Sequence, residues 1–521
     1  MTVVEALAER LWEAGVSRAW GMPGGDSLPL LDALRERGIE HTLVRDETSA
    51  AFAADATAQL TGAPGLCVAT LGPGMTNLLT GVTGCLLDRA PVIAVTSRYR
   101  TDRRATYTHM MCDQAALARA TGKAHYLLDP GGAANQIERA LVTATAPRPG
   151  PVWLEIPTQH ATSPTPPGPG RQRLPPPVPQ PPARLVQRLN RWTRPAILCG
   201  FAGRHADVQS LADALRAPVL TTYKAKGCIP ELTGWSAGAA GLSPVVDTEH
   251  QRLLDGCDGI LLVGWDPVEL RDHWMPGWPD RADVIVIDEA APIDLPCRVD
   301  ELLVGSIPPT VAALTDALDG VSTTTLAEVD AHRARWLAPF DEAQFGPATA
   351  IRAVQQASDD AIVTLDVGAH RITASAVWRA ERPDRLLQNN GLSSMGYGLP
   401  AALAAATLGH RAVAIVGDMG LQMTLGELGV AAEQGLDLVV VVLQDASLSL
   451  IELKQERRGG APDPLRFGNP DWTGIATAFG GHGYEARDPR ALRKAVHTGL
   501  ATGGIHVIAA CIDPSSYRSQ M

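Results

Sequence analysis

GDMGLQMTLGEL, residues 417–428, follows directly on the apolar run Ala412–Val416. A short aliphatic run that ends in Gly417-Asp418 and turns through Gly420 reads as a buried strand handing over to a helix. The segment LVVVVLQDASLSLIELKQ (438–455) repeats the design: a Val-rich run, a hydrophilic break at Gln444-Asp445-Ala446-Ser447, then a helix. Continuous Val/Ile/Leu runs separated by helices indicate a parallel sheet covered on both faces. Ala361–Leu365 and His506–Cys511 are further strands of the same unit.

The same alternation extends toward the N-terminus. Ala196–Cys199, Val219–Thr221, Gly259–Val263 and Val284–Ile287 are strand candidates of a middle unit. His41–Arg45, Gly65–Thr70 and Val92–Thr96 belong to a first unit, with amphipathic stretches at Ser49–Leu60 and Thr76–Leu87 between them. One clear break divides the chain: PTPPGPGRQRLPPPVPQPP (164–182) holds ten prolines and cannot continue a helix or a central strand. It reads as a semi-rigid linker. A softer break lies at 320–346, polar and partly helical in pattern. The expected fold is α/β, three doubly wound parallel-sheet domains over 1–163, 183–325 and 345–521, with 164–182 as the linker.

Composition agrees with a large globular protein. The 521 residues carry 45 basic and 56 acidic side chains, a net charge of −11. That balance argues against nucleic acid or an anionic membrane as partner, since both need a cationic surface. No apolar run approaches the ~20 residues of a membrane helix. MTVVEALAERLWEAG at the start reads as an amphipathic helix of the folded domain, not a signal peptide. Eight cysteines without a C-x-x-C pair read as reduced thiols of a cytoplasmic protein with no zinc site.

Ligands of doubly wound sheets bind at the carboxyl ends of strands, so the loops there are where chemistry is expected. Asp418 and Asp445 are separated by 27 residues, one helix plus one strand, which puts both at the same end of neighbouring parallel strands. Two side-chain oxygens, a loop carbonyl and two phosphate oxygens would satisfy an octahedral Mg²⁺ that retains a water. Backbone amides at the strand–helix turn would suit a diphosphate. Taken alone, Gly-Asp after a strand is equally ordinary turn chemistry.

At these residues the chain resembles the thiamine diphosphate enzymes, in particular their acetolactate synthase / pyruvate decarboxylase branch. Their signature is G-D-G followed about 27 residues later by Asn. GMPGGDSLPLLDAL (21–34), LVRDETSAAFAADATAQLTG (43–62), LGPGMTNLLTGVTGCLLDRAPVIAVT (71–96), RPGPVWLEIP (148–157), DVGAHR (366–371) and GLSSMGYGLPAA (391–402) each resemble a family segment, in the family's order. The resemblance implies a pyrimidine-binding domain, a middle domain and a diphosphate/Mg-binding domain, in that order. It implies thiamine diphosphate and Mg²⁺ as cofactors, and Glu47 as the catalytic glutamate at the pyrimidine ring. Gly24, Gly25, Gly74 and Asn77 fall on the pyrimidine side. On the diphosphate side fall Gly368, His370, Gly391, Ser394, Met395, Gly417, Asp418, Met419, Gly420 and Asp445, with Asp418, Asp445 and Ser447 toward the metal. Met395 matches the bulky residue over which the cofactor bends. The resemblance further implies a homodimer with sites at the subunit interface, or a homotetramer.

The departures are specific. Met419 stands in place of the second glycine of G-D-G, and Asp445 in place of the Asn ligand. The Phe-Gln-Glu loop typical of acetolactate synthases reads His109-Met110-Met111, and Lys454 replaces a tryptophan, whereas Lys123 matches. His109, Met110, Lys123 and Lys454 are accordingly the candidate substrate-pocket residues. In the middle unit CGFAGRH (199–205) and TTYKAKGCIPE (221–231) resemble acetolactate synthases, but SAGAAGLS (236–243) and VGWDPVELRD (263–272) lack the flavin-gripping arginines and methionines, which argues against FAD. Gly200 and Gly203 lack the dinucleotide spacing as well. The expected function is decarboxylation of a 2-oxo acid with carboligation of the enamine to a second carbonyl, as in acetolactate synthase. A simple decarboxylase and a degenerate, non-catalytic cofactor-binding paralogue are the alternatives.

Overall fold

The computed structural model describes residues 1–100, 108–168, 177–275, 278–291 and 295–521. Residues 169–176 of the proline-rich stretch lie outside them. Among the described residues, three six-stranded, wholly parallel sheets follow one another along the chain, each flanked by helices. The first contains β1 (Arg18–Met22), β2 (Glu40–Leu43), β3 (Gly65–Ala69), β4 (Val92–Arg98), β5 (Ala124–Leu127) and β6 (Val152–Pro157). The second contains β7 (Pro195–Cys199), β8 (Val219–Thr222), β9 (Ser236–Ala240), β10 (Gly259–Val263), β11 (Asp283–Asp288) and β12 (Glu301–Val304). The third contains β13 (Ile362–Leu365), β14 (Leu386–Gln388), β15 (Ala412–Gly417), β16 (Leu438–Gln444), β17 (His482–Ala486) and β18 (Ile505–Cys511).

Strand order is β2-β1-β3-β4-β6-β5 in the first sheet and β14-β13-β15-β16-β18-β17 in the third, the same plan twice. The middle sheet runs β12-β11-β10-β7-β8-β9, a different winding whose order reverses between β7 and β10. The central strands of the third sheet are buried along nearly their whole length, as unbroken aliphatic runs require. Among the described residues no helix is long and apolar enough to cross a membrane.

The first and third units share a core. Helix Glu47–Thr61 is buried on almost every side, and alanines at 50, 51, 53, 54, 56 and 58 let neighbouring helices approach closely. One neighbour is Pro73–Leu87, where a Cβ on Gly81 would sit 2.5 Å from that of Ala51. Another is Gly398–Thr407 of the third unit, preceded by Tyr397, whose ring meets Phe52 edge-on at 5.5 Å between centroids. Asp88, at the end of Pro73–Leu87, accepts from the amides of Asn390 (3.0 Å) and Gly391 (2.6 Å) and faces the Lys224 ammonium at 3.4 Å. All three units therefore meet at one buried carboxylate.

Asp55 lies in the same seam. Its Oδ1 accepts from Gln59 Nε2 at 2.8 Å. Burial, opposed by the nearby Lys224 ammonium, raises its carboxyl from 3.8 to about 6. A raised native pKa means the folded state holds the proton more tightly, so Asp55's contribution is complete below pH 3.8 and is lost as pH climbs through about 6. Asp55→Asn keeps the shape and removes the titration. Urea unfolding at pH 5 and pH 7.5 is expected to show a smaller stability difference for Asp55→Asn than for the wild type. An unchanged difference would refute this account of the seam.

Candidate active site

The carboxyl ends of β15 and β16 lie side by side, with Gly417 in register with Leu443. Asp418 and Asp445 follow them in adjacent loops. The Asp418 carboxylate accepts from the amides of Met419 (2.9 Å), Ala446 (2.7 Å) and Asp445 (3.2 Å). Asp445 accepts from Ser449 Oγ at 2.6 Å and from the Ser447 amide at 3.2 Å. Burial, then the Asp418 charge beside it, lifts the Asp445 carboxyl to about 7 even against these bonds. Ser447 Oγ in turn donates to Glu452. Ala446 takes a left-handed backbone, φ +57°, which folds this loop back toward β15.

These side chains face a cavity of about 300 Å³ lined by Gly368, His370, Met395, Gly417, Asp418 and Asp445 among others. Met419, Gly420 and Ser447 line it too. His370 is 4% exposed and its Nε2 has no hydrogen-bond partner. Burial and the adjacent Arg371 lower it to about 4, so the ring is neutral at physiological pH. Ser394 and Gly391 lie in the same loop as Met395 but are not among the residues that line the cavity. Gly391 is pressed against Leu87 of the first unit, where a Cβ would come within 2.4 Å. Gly396, at φ +92°, makes the turn after Met395 in a conformation that favours glycine.

Two residues that the sequence reading passed over shape this cavity. Asp366, at the end of β13 and wholly buried, accepts from the amides of Gly396 (2.8 Å) and Tyr397 (3.1 Å) and so holds the Met395 loop. A Cβ on Gly420 would fall 2.1 Å from Asp366 Oδ2, so glycine is required there. An aspartate directly after a strand was the available signal. Arg271, from the middle unit, reaches the cavity and donates to Ser393 Oγ at 3.2 Å. It stands within the segment read only for its lack of flavin contacts.

Glu47 begins its helix at the end of the loop after β2, behind the N-cap Asp46, which accepts from the Thr48 amide at 2.8 Å. It is 6% exposed, and Asn77 Nδ2 donates to its Oε2 at 3.0 Å. Gly74 passes beside the same carboxylate, 3.4 Å from where its Cβ would be. Gly24 and Gly25 follow β1 on this same edge of the first sheet, Gly24 packed against Asp26 and Thr70. The loop carrying His109 and Met110 runs over Gly72, at the N-cap of Pro73–Leu87, where a Cβ would meet the Met110 carbonyl at 2.4 Å. The structure thus gathers Glu47, Asn77, the glycines, His109 and Met110 on one edge.

The other candidates lie apart. Lys123 precedes β5, at the amino-terminal end of the first sheet, and its Nζ donates to the Ala146 carbonyl at 3.1 Å, closing the C-terminus of helix Ala133–Thr145. Lys454 is exposed on helix Ser449–Arg457 and is not among the cavity-lining residues. Glu47 is not among them either: the lining residues run from Arg271 to Tyr517. A single chain therefore presents two separate groups of candidate residues on two sheets.

The donor set fits a diphosphate with a divalent metal. Two carboxylates and a hydroxyl are hard oxygen ligands, and the buried His370 Nε2 is a polar atom without a partner in the chain. Among the described residues no cluster of three or more His, Cys, Asp or Glu surrounds one point. A metal here would therefore take part of its shell from the ligand it accompanies.

Three family models for thiamine pyrophosphate enzymes match the chain: the N-terminal TPP binding domain over residues 1–117, the central domain over 183–314 and the C-terminal TPP binding domain over 366–510. The chain belongs to the thiamine pyrophosphate enzymes, and its cofactor is thiamine diphosphate with a divalent metal such as Mg²⁺. Among its relatives are the acetolactate synthase large subunit of Parasynechococcus marenigrum, 29% identical over 95% of this chain and 84% of that one, and the acetolactate synthase of Bacillus subtilis, 26% identical over 98% and 93%. The acetolactate synthase isozyme 2 large subunit of Escherichia coli is 29% identical, over 98% of this chain and 95% of its own length.

A second cavity, about 250 Å³, opens at the carboxyl ends of β7, β10 and β11, where the middle sheet reverses its order. Arg204 stacks on Phe201 there, 3.8 Å from the ring centroid. It lies apart from both groups.

Proposed function

We propose that this enzyme is an acetolactate synthase-like carboligase, which decarboxylates a 2-oxo acid and joins the remaining acyl fragment to a second carbonyl. The observation that carries the reading is the pair Asp418 and Asp445, held at adjacent strand ends in a cavity that also presents Met395 and His370. The likeness to acetolactate synthases over nearly the whole chain supports it. In this reading 1–163, 183–325 and 345–521 are the pyrimidine-binding, middle and diphosphate/Mg-binding domains.

When bound, thiamine diphosphate supplies a carbon nucleophile for the ketone and an electron sink for the departing CO₂. Asp418, Asp445 and Ser447 would hold Mg²⁺, and the Gly417–Gly420 turn and His370 would lie toward the diphosphate. Met395, which lines the cavity, would support the cofactor beside its diphosphate. Glu47, oriented by Asn77, exchanges a proton with the pyrimidine nitrogen. Since Glu47 and the diphosphate cavity stand on separate edges of one chain, we assign the complete site to the interface of a homodimer, alone or within a tetramer. No FAD enters the proposal, because Gly200-Phe-Ala-Gly203 lacks a dinucleotide spacing. Eight free thiols support a reducing, cytoplasmic setting.

Arg271 is the exposed cation at the cavity and the group best placed to meet a 2-oxo acid's carboxylate. Mass spectrometry of products from a panel of 2-oxo acids with second carbonyl acceptors tests the function directly. Ligated 2-hydroxy-3-oxo acids are expected; aldehydes alone would replace carboligation with plain decarboxylation. In the same assay Arg271→Ala is expected to raise KM about tenfold, with a smaller change in kcat. An unchanged KM would remove Arg271 from substrate binding.

A further inference from the structure

The turn that delivers Glu47 is gripped from another unit. Helix Glu427–Gln434 sends three side chains across the seam to residues 42–46. Glu427 Oε1 accepts from the amides of both Arg45 (3.0 Å) and Asp46 (3.1 Å), Glu433 pairs with the Arg45 guanidinium, and Gln434 Nε2 donates to Thr42 Oγ1 at 3.2 Å. Glu427 is 1% exposed. Gly426 brings the backbone close: a Cβ there would lie 3.1 Å from that of Arg45.

Helix capping does not account for this contact. Asp46 already caps the helix through the Thr48 amide, so Glu427 fixes the two peptide units ahead of the cap. Those units set the position of the Glu47 Cα, and Asn77 then sets the direction of its carboxylate. Burial raises the Glu427 carboxyl to about 7, yet both amides point at one oxygen, which accepts whether or not the other is protonated.

We propose that Glu427 is a positioning residue for Glu47: its carboxylate fixes the backbone of Arg45 and Asp46 and thereby places the proton-exchanging carboxylate. This rests on the assignment of Glu47 as the group facing the pyrimidine. Helix Glu427–Gln434 follows closely on the Asp418 turn, so the same short stretch of chain shapes one half-site and aims the residue of the other.

The test uses the full chain as Glu427→Ala, Glu427→Gln and Glu427→Asp, with Glu47→Gln as reference. Four quantities are read: hydrogen exchange of the peptide spanning 42–48 without cofactor, the affinity for thiamine diphosphate with Mg²⁺, exchange of the bound cofactor's C2 proton by NMR, and kcat with KM. Glu427→Ala is expected to speed amide exchange in 42–48 and to slow C2 exchange and kcat by about 10- to 100-fold, with KM and cofactor affinity moving less than about threefold. Glu427→Gln, which keeps the accepting oxygen, is expected to return all of these to within about threefold of wild type. Should Glu427→Ala fail to fold, Glu427→Asp, with its carboxyl drawn back by one methylene, is expected to show the same split. If Glu47→Gln slows C2 exchange but neither Glu427→Ala nor Glu427→Asp does, the positioning role is overturned and the Glu47 assignment stands. A uniform loss of affinity, KM and kcat in the Glu427 variants also overturns it. If Glu47→Gln itself leaves C2 exchange unchanged, both readings fall.

Discussion

Glu47→Gln is expected to lower CO₂ release and product formation by about 10²- to 10⁴-fold, the range over which a positioned acid–base group acts. The substitution is close to isosteric. The side chain keeps an oxygen for Asn77 Nδ2, and the buried site by Gly74 keeps its volume, so the melting temperature should change little. What is lost is the ability to hold and return a proton. Cofactor affinity should also survive, because the groups assigned to the diphosphate and metal sit on the third sheet. Full turnover by Glu47→Gln would end the catalytic assignment, whatever the cofactor affinity showed.

The second large effect concerns Asp418. Asp418→Asn keeps an acceptor for the Met419 and Ala446 amides and removes the charge that would face Mg²⁺. Wild type is expected to gain about 3 kcal/mol of stability with thiamine diphosphate and Mg²⁺ at a hundred times their dissociation constant, read as a raised melting temperature. In Asp418→Asn that rise should disappear while the unliganded melting temperature stays near wild type. A persisting rise would show that the metal is held elsewhere. The two inactive variants also test the assembly. If each complete site joins Glu47 of one chain to Asp418 of another, mixing Glu47→Gln with Asp418→Asn should restore about a quarter of wild-type activity, from the single intact site of each mixed dimer. A mixture that stays inactive under subunit exchange would place both residues in one chain's site.

Much of this was readable in the amino-acid order because it is local. β15 and β16 are unbroken aliphatic runs, and a parallel sheet buried on both faces leaves that mark. Most of the strands that escaped notice are edge strands or poor β-formers. β14 has three residues, β17 (HGYEA) is half-exposed, β5 (AHYL) is only partly buried, and β9 (SAGAA) lacks β-branched residues entirely. Their pairing comes from the neighbour already in place, not from propensity. β1 (RAWGM) contains Gly21, whose missing side chain lets Val68 of β3 come within 1.9 Å of a would-be Cβ.

The functional side chains divide in the same way. Glu47, Asp418 and Asp445 stand at strand–helix junctions within quoted motifs. Lys123 matched by position, yet its Nζ caps a helix at the far end of the sheet, which a linear match cannot distinguish. Glu427 was written in the very segment that opened the reading, but its partners are 381 and 382 residues away in the chain. No periodicity or spacing rule reports a contact across that distance. Asp366 and Arg271 were likewise in view as letters and acquired meaning only through the loops they hold.

The shared strand order of the first and third sheets is what a doubled gene would leave, with the differently wound middle unit inserted between the copies. On the assignments proposed above, one ancestral edge has then been specialised twice: in the later copy toward acidic side chains for a metal, in the earlier toward a lone acid that trades a proton. On that history the enzyme's two chemistries are siblings, and drift in either copy is limited by the need to keep facing the other.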